Sequence, residues 1–331
     1  MTTDTLDKKH TDTGTENGSW EGAEYPFKVG YGKLMIWYFL VSDAFTFAGF
    51  LIAYGTLRFS TVSWPVPDYV FSTFPILGPH HPLLFVTLMT FVLLFSSFTM
   101  IRAVQEGHRE NRKGVVIWMA LTILGGAGFL GCQAWEWTTL IGKEHMSITT
   151  SPFGRHTEAG IYLDANGKES SEVFEKGTSY LIHKTAFETT AHTETIEGHE
   201  AGEVKSPDHA AESEEHEGPS YAAAGDYPDA VVDQRGYVHR KYIVSSGADT
   251  GLIKSDPFGP KAFGALFFFI TGFHGFHVFS GVIFLTIIMV NVISGIYIKR
   301  RNKNEMVEKI GLYWHFVDLV WVFVFLVFYL L

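Results

Sequence analysis

The sequence predicts an all-α membrane protein: a bundle of five transmembrane helices with a long non-cytoplasmic insertion between the third and the fourth. A bilayer core about 30 Å thick needs roughly 20 apolar residues per helix. Stretches of that kind occur at 34–57, 82–104, 114–141, 263–296 and 311–331. Charged residues lie mostly between these stretches, and aromatic residues gather at their ends, as in the interfacial belts of membrane proteins.

Lysine and arginine predict the orientation, because short cytoplasmic loops carry an excess of both. The loops between spans two and three and between spans four and five are basic. Both are expected inside the cell, which places the N-terminus inside and the C-terminus outside. Most of the acid behind the net charge of −10 lies in the long loop after span three, which is expected outside.

Four segments follow from this arrangement. Residues 1–33 are polar, without periodicity or a removable apolar signal, and are predicted to form a disordered arm. Residues 34–141 hold helices one to three, and residues 263–331 hold helices four and five. Residues 142–262 form a periplasmic insertion rich in histidine and glutamate.

The histidines of the insertion raise the hypothesis of a metal site, but the spacing argues against it. His192 and His199 are seven residues apart, as are His209 and His216, yet glycine and proline interrupt any helix that would align them. A solvated insertion without a metal site is favoured. Tyr162 to Lys168 resembles a hairpin, and Gly236 to Val244 a strand, so a small subdomain or partner-docking surface is also an open interpretation.

Two further segments carry local predictions. The connector from Phe59 to Pro82 holds too many prolines for a helix and is expected to be an ordered loop on the outer surface. Small residues let helices approach closely, and the middle of the third span carries Gly125, Gly126, Gly128 and Gly131. Cys132, the single cysteine, excludes an internal disulfide.

Ionisable side chains fall inside the predicted spans, where each costs several kcal/mol unless it is paired or hydrated. They lie in every span except the second: Asp43, Glu136, His274, His277, His315 and Asp318. Such residues are a functional-site hypothesis by default.

Three interpretations of this set are open. Haem ligation by His274 and His277 is disfavoured, because residues three apart share one face of one helix, whereas a bis-histidine haem needs ligands from two helices. A stand-alone proton or ion transporter suits the residue types, but the chain shows neither repeated halves nor broken helices. Pairing of the polar groups to fix helix positions in a larger complex is favoured on physical grounds.

Four motifs resemble subunit III of haem–copper terminal oxidases, the cytochrome c oxidase subunit III family. The fourth span carries Thr271-Gly272-Phe273-His274-Gly275-Phe276-His277, and the fifth begins Tyr313-Trp314-His315-Phe316-Val317-Asp318. The third span ends Gln133-Ala134-Trp135-Glu136-Trp137, and the first carries Ser42-Asp43-Ala44-Phe45. The four occur in the family's order and cover nearly all of the membrane-embedded residues, as in the five-helix form of the family.

The resemblance implies a non-catalytic subunit of a cytochrome c oxidase in the bacterial inner membrane, where oxygen reduction drives proton translocation. It implies haem and copper in partner subunits I and II, with no redox centre, metal or nucleic acid bound by this chain. It also implies that the chain stabilises subunit I, binds phospholipid and sustains proton uptake. Proton-uptake or helix-packing candidates are Asp43, Glu136, His315 and Asp318; lipid-binding candidates are Trp37, Arg102, His274 and His277.

Two departures from the family pattern stand out. Asp43 occupies a position where the family commonly has a glutamate that reacts with carbodiimides. The insertion is far longer than the family's usual connection, which suggests docking of a periplasmic electron-donor complex. The homologous subunit of a quinol oxidase or of a nitric oxide reductase complex remains an alternative, because the choice of electron donor resides in subunit II.

Overall fold

The computed structural model describes residues 31–75, 81–163, 167–184, 231–296 and 305–331. The predictions for residues 1–30 and for the paired histidines between 185 and 230 lie outside this part of the chain. The first helix begins at Tyr31, so assigning residues 31–33 to the arm was wrong.

Five helices are long and apolar enough to cross a membrane, as predicted. In chain order they are α1 Tyr31–Ser60, α3 Leu84–His108, α4 Arg112–Gly142, α5 Lys261–Ile293 and α6 Glu305–Phe325, which continues as a π-helical turn, Leu326–Leu330. A short helix, α2 Pro67–Val70, lies between the first two. Local chemistry explains one sharp boundary: the Asn111 side chain accepts a hydrogen bond from the Gly114 amide at 3.3 Å and caps α4.

Glycines of α4 allow close packing at two of the four predicted positions. A Cβ at Gly125 would lie 2.6 Å from the Ser96 Cβ of α3, and one at Gly126 would lie 2.5 Å from the Trp314 ring of α6. Gly128 has only an ordinary contact, and a Cβ at Gly131 would meet nothing within 4 Å. The prediction of close approach was therefore wrong for Gly131.

The connector after α1 is more than a surface loop, which corrects the prediction. Trp64 and Phe71 are 5% exposed and belong to the core of the bundle. The indole of Trp64 donates a hydrogen bond to the Tyr54 hydroxyl at 3.1 Å. The connector therefore turns back and packs onto the end of the bundle at which α1 stops.

The insertion between α4 and α5 folds into small antiparallel sheets, so the all-α class holds for the membrane part only. Its strands are β1 Phe153–Arg155, β2 Gly160–Leu163, β3 Glu169–Phe174, β4 Ser179–Leu181, β5 Val231–Val232, β6 Val238–His239, β7 Lys241–Val244 and β8 Ile253–Ser255. The order is β3-β2-β7-β8 in the largest sheet, with separate β1-β4 and β5-β6 ribbons. The predicted hairpin is β2 and β3, and the predicted strand at 236–244 is two strands, β6 and β7.

Candidate functional site

The ionisable side chains predicted at membrane depth lie inside the helical bundle. Five of the six are less than 10% exposed, and His315 is half-buried. Unpaired burial of such groups is costly, so their partners decide what they can do.

Asp43 and His277 join α1 to α5. The Asp43 Oδ2 atom lies 3.3 Å from His277 Nε2, and both residues are under 10% exposed. The other ring nitrogen, Nδ1, lies 2.8 Å from the Phe273 carbonyl oxygen. A carbonyl only accepts, so Nδ1 donates to it and Nε2 faces the Asp43 carboxyl group. The contact ties α1 to α5, and a proton-uptake role for Asp43 stays a prediction.

Glu136 is held near the C-terminal end of α4. The Tyr329 hydroxyl lies 3.1 and 3.2 Å from its two carboxyl oxygens, and both residues are at most 5% exposed. The contact ties α4 to the end of the last span. It gives Glu136 a helix-packing partner rather than an open path to solvent.

His315 and Asp318 meet at Ser97 of α3. The Ser97 hydroxyl lies 2.7 Å from His315 Nδ1 and also interacts with the Asp318 carboxyl group. Asp318 is 4% exposed, and neither of its oxygens has full hydrogen-bond geometry with a described residue. A hydroxyl between an imidazole and a carboxyl group can relay hydrogen bonds between α3 and α6.

His274 is enclosed by aromatic rings. It is fully buried, with the rings of Phe129 and Trp321 at 5.7 and 5.2 Å and that of Phe47 at 6.4 Å. Neither ring nitrogen has a hydrogen-bond partner among the described residues. His277 is also buried, at 8% exposed, and lipid binding by these two histidines stays a prediction.

The glycines of the fourth-span motif make room for side chains of α4. A Cβ at Gly275 would lie 2.9 Å from the Gln133 amide oxygen, and one at Gly272 would lie 2.9 Å from the Trp137 ring. The Gln133 amide nitrogen donates to the Thr271 carbonyl at 2.7 Å. Two sequence motifs, on α4 and α5, are thus one packing unit.

The remaining lipid-binding candidates lie at the surface of the bundle. Trp37 is 52% exposed on α1. The Arg102 guanidinium lies 5.5 Å from the centre of the Trp118 ring and donates to the Gln105 side chain at 2.7 Å. Both positions remain predictions for lipid contact.

Sequence reasoning missed three partners: Ser97, Tyr329 and Glu106. Glu106 is 7% exposed and accepts from Asn111 at 2.6 Å at the C-terminal end of α3. Polarity within an apolar stretch marks Ser97 and Tyr329, but hydroxyl groups satisfy themselves within helices so often that the signal is weak.

The insertion contains a buried polar cluster of its own. His156 Nε2 lies 3.0 Å from the Tyr162 hydroxyl, which donates to Asp256 at 3.2 Å. Burial lowers the pKa of His156 to about 4, with the nearby Arg240 charge adding to the effect, and burial raises the pKa of Asp256 to about 7. Both groups are therefore neutral in mildly acidic solution. Among the described residues, no group of three or more His, Cys, Asp or Glu side chains is arranged to hold a metal ion.

The chain is similar in sequence to known proteins of one family. A family model described as Cytochrome c oxidase subunit III matches residues 255–331. Quinol oxidase subunit 3 of Bacillus subtilis (strain 168) is 31% identical over 166 residues, which cover 46% of this chain and 74% of that protein. The chain belongs to the cytochrome c oxidase subunit III family. Cytochrome c oxidase subunit 3 of Schizophyllum commune is 46% identical over 69 residues, 21% of this chain and 25% of that protein.

The family match covers four of the six ionisable residues of the site and leaves out the other two. The matched residues 255–331 contain α5 and α6, and with them His274, His277, His315 and Asp318. Asp43 and Glu136 lie outside the matched segment, on α1 and α4. Membership of the subunit III family makes this chain part of a haem–copper oxidase complex in the membrane.

Proposed function

We propose that this chain is the non-catalytic subunit III of a haem–copper cytochrome c oxidase that reduces oxygen and translocates protons. The family match to residues 255–331 carries the proposal, because that segment holds the motif histidines, and the Asp43–His277 contact ties α1 to it. Haem and copper would be housed in subunits I and II, and this chain would stabilise subunit I, bind phospholipid and sustain proton uptake.

Purification through a tag on this chain tests the proposal. The complex should contain a haem-bearing subunit I and should reduce oxygen to water. A complex with b-type haem alone that reduces nitric oxide, or a chain purified without any haem-bearing partner, would contradict it.

A quinol oxidase is the second candidate, because two relatives named Quinol oxidase subunit 3 align over 74% of their length. The electron donor is decided in subunit II, where a dinuclear copper motif with two cysteines indicates oxidation of cytochrome c. Steady-state oxygen uptake with reduced cytochrome c and, separately, with a ubiquinol or menaquinol analogue distinguishes the two.

We also propose that the insertion lies in the periplasm and docks an electron-donor complex. The folded sheet β3-β2-β7-β8 supports this proposal, because it provides an ordered surface for a partner. The sheet follows the end of α4, on the side of the bundle opposite Lys33. Replacing the insertion by a short linker should weaken the interaction with the donor while oxygen reduction with an artificial donor persists. Unaltered donor kinetics and complex composition would end the idea.

The orientation remains a proposal of its own: a bacterial inner membrane, N-terminus in the cytoplasm, and C-terminus and insertion in the periplasm. Replacing exposed Lys176 by cysteine tests it, because a membrane-impermeant maleimide should label that residue in intact spheroplasts. Labelling only after lysis would place the insertion inside the cell.

A further inference from the structure

A polar cavity lies at the end of α1 that is opposite Lys33. Its volume is about 400 Å³, and it is bounded by the end of α1, the connector, the insertion and the end of the last span. Two arginines line it, Arg58 of α1 and Arg155 of β1; Asp68 is the acidic side chain on its wall. Two separate segments of the chain therefore bring positive charge to one partly open space, which Asp68 and Leu331, the last residue of the sequence, also line.

The Arg58 side chain is held in place, but one of its nitrogens lacks a hydrogen-bond partner among the described residues. Its guanidinium interacts with the Tyr54 hydroxyl, which in turn accepts the hydrogen bond from Trp64 at 3.1 Å. The Nη1 atom is buried and has no hydrogen-bond partner among the described residues. A buried charged donor without an acceptor is costly, so the Arg58 guanidinium, which lines the cavity, is short of an acceptor.

Arg155 brings the second charge from the insertion. Its Nε donates to the Gly177 carbonyl at 2.9 Å, which fixes the side chain while the residue as a whole stays exposed. A guanidinium fork matches the oxygens of phosphate in geometry and charge. Two such forks on one cavity suit a phosphate group better than a single carboxylate.

The surroundings of the cavity are apolar and exposed. Phe59 is 88% exposed, Val62 75% and Leu330 55%. Because α1 ends here, these side chains lie where acyl chains meet the headgroup region. The same place thus offers positive charge to a headgroup and apolar surface to its chains.

We propose that Arg58 and Arg155 bind the phosphate of an anionic phospholipid headgroup in the outer leaflet. The inference rests on the membrane placement in the proposed function. It also gives the insertion a role within this chain, since β1 would help to clamp the lipid against α1.

The test uses the intact purified complex, in nanodiscs of phosphatidylcholine with a minor fraction of phosphatidylglycerol. Phosphatidylglycerol retained after a detergent wash is measured for wild type, Arg58→Met, Arg155→Met and the matched control Lys176→Met, which removes an exposed charge of the insertion. Each arginine variant should retain about tenfold less, because a charge-assisted hydrogen bond is lost, and the control should match wild type. Arg58→Lys should fall between, since it keeps the charge but not the fork.

A second arm titrates inorganic phosphate into the delipidated complex. Arginine-dependent binding of inorganic phosphate without retention of phosphatidylglycerol would overturn the lipid assignment in favour of free phosphate. Equal retention in all variants would overturn the site itself. Oxygen reduction and the presence of subunit I in each preparation report on the proposed function separately, and Arg155→Met keeps the test valid if Arg58→Met fails to assemble.

Discussion

The Asp43 carboxyl group on α1 and the His277 ring on α5 lie 3.3 Å apart inside the bundle. Apart from Asp43, α1 buries only Leu40, Phe47 and Tyr54, so it touches the other helices along a narrow seam. The Lys33 ammonium and the Glu308 carboxylate form a second tie at 2.8 Å. These two polar contacts therefore tie α1 to α5 and to α6.

Asp43→Asn should leave assembly intact but shorten the life of the oxidase during turnover several-fold. An amide can still hydrogen-bond to Nε2, whereas it cannot take up or release a proton as the carboxyl group can. The measurement is the number of turnovers that the purified complex completes before activity is lost.

Asp43→Glu is the matched control, because it keeps the acid and extends its reach. It should retain most of the turnover life. If Asp43→Asn behaves like wild type, the pair holds helices together and supplies no protons.

Tyr329→Phe should destabilise the bundle by about 1–3 kcal/mol, since it leaves the buried Glu136 carboxyl group without its hydroxyl partner. Glu136→Gln should cost less, because its amide oxygen still accepts from Tyr329. Thermal dissociation of this subunit from the purified complex measures both, and equal midpoints for wild type and Tyr329→Phe would contradict the contact.

Gly126→Ala should destabilise the bundle by about 1–3 kcal/mol, because the new Cβ would lie 2.5 Å from the Trp314 ring and 2.9 Å from a Val282 methyl carbon. Gly131→Ala is the control on the same helix. It meets nothing within 4 Å and should be neutral or stabilising by up to about 1 kcal/mol, since alanine favours the helix. The same thermal assay ranks the two, and a reversed order would refute the packing at Gly126.

The insertion should show compensating pH effects. Burial lowers the pKa of His156 from 6.5 to about 4, so below pH 6.5 the unfolded chain binds the extra proton and stability falls with falling pH. Burial raises the pKa of Asp256 from 3.8 to about 7, so below pH 7 the folded chain holds the extra proton and stability rises with falling pH. Each slope is about 1.4 kcal/mol per pH unit, and in wild type they nearly cancel between pH 4 and 6.5.

Single substitutions should expose each slope. His156→Phe should make the insertion more stable on acidification, and Asp256→Asn should make it less stable. Hydrogen exchange of the β2 and β7 amides in the intact complex, corrected for intrinsic rates, measures the effect. Parallel profiles for the two variants would contradict the assignment.

Much of the membrane part could be predicted from the sequence. Five apolar stretches of bilayer length predict five transmembrane helices. The depth of Asp43, Glu136 and His274 within the bilayer then follows from the rise per residue of a helix. The turn residues Asn166 and Gly167 likewise predicted the hairpin of β2 and β3.

Pairings across the fold could not be predicted. Tyr329 meets Glu136 from 193 residues away, and Tyr162 meets Asp256 from 94 residues away. Such contacts depend on how helices and strands pack, which no local pattern encodes. For the same reason the sequence does not distinguish His274 from His277 on the same helix, although one ring pairs with Asp43 and the other is enclosed by aromatic rings.

The supporting role of this chain is tested most directly by the turnover life of the oxidase complex with the chain present, with it removed by detergent, and with it added back. Initial oxygen reduction should survive removal, activity should then be lost after far fewer turnovers, and adding the chain back should restore the wild-type number. An unchanged turnover number after complete removal would contradict a supporting role for this subunit.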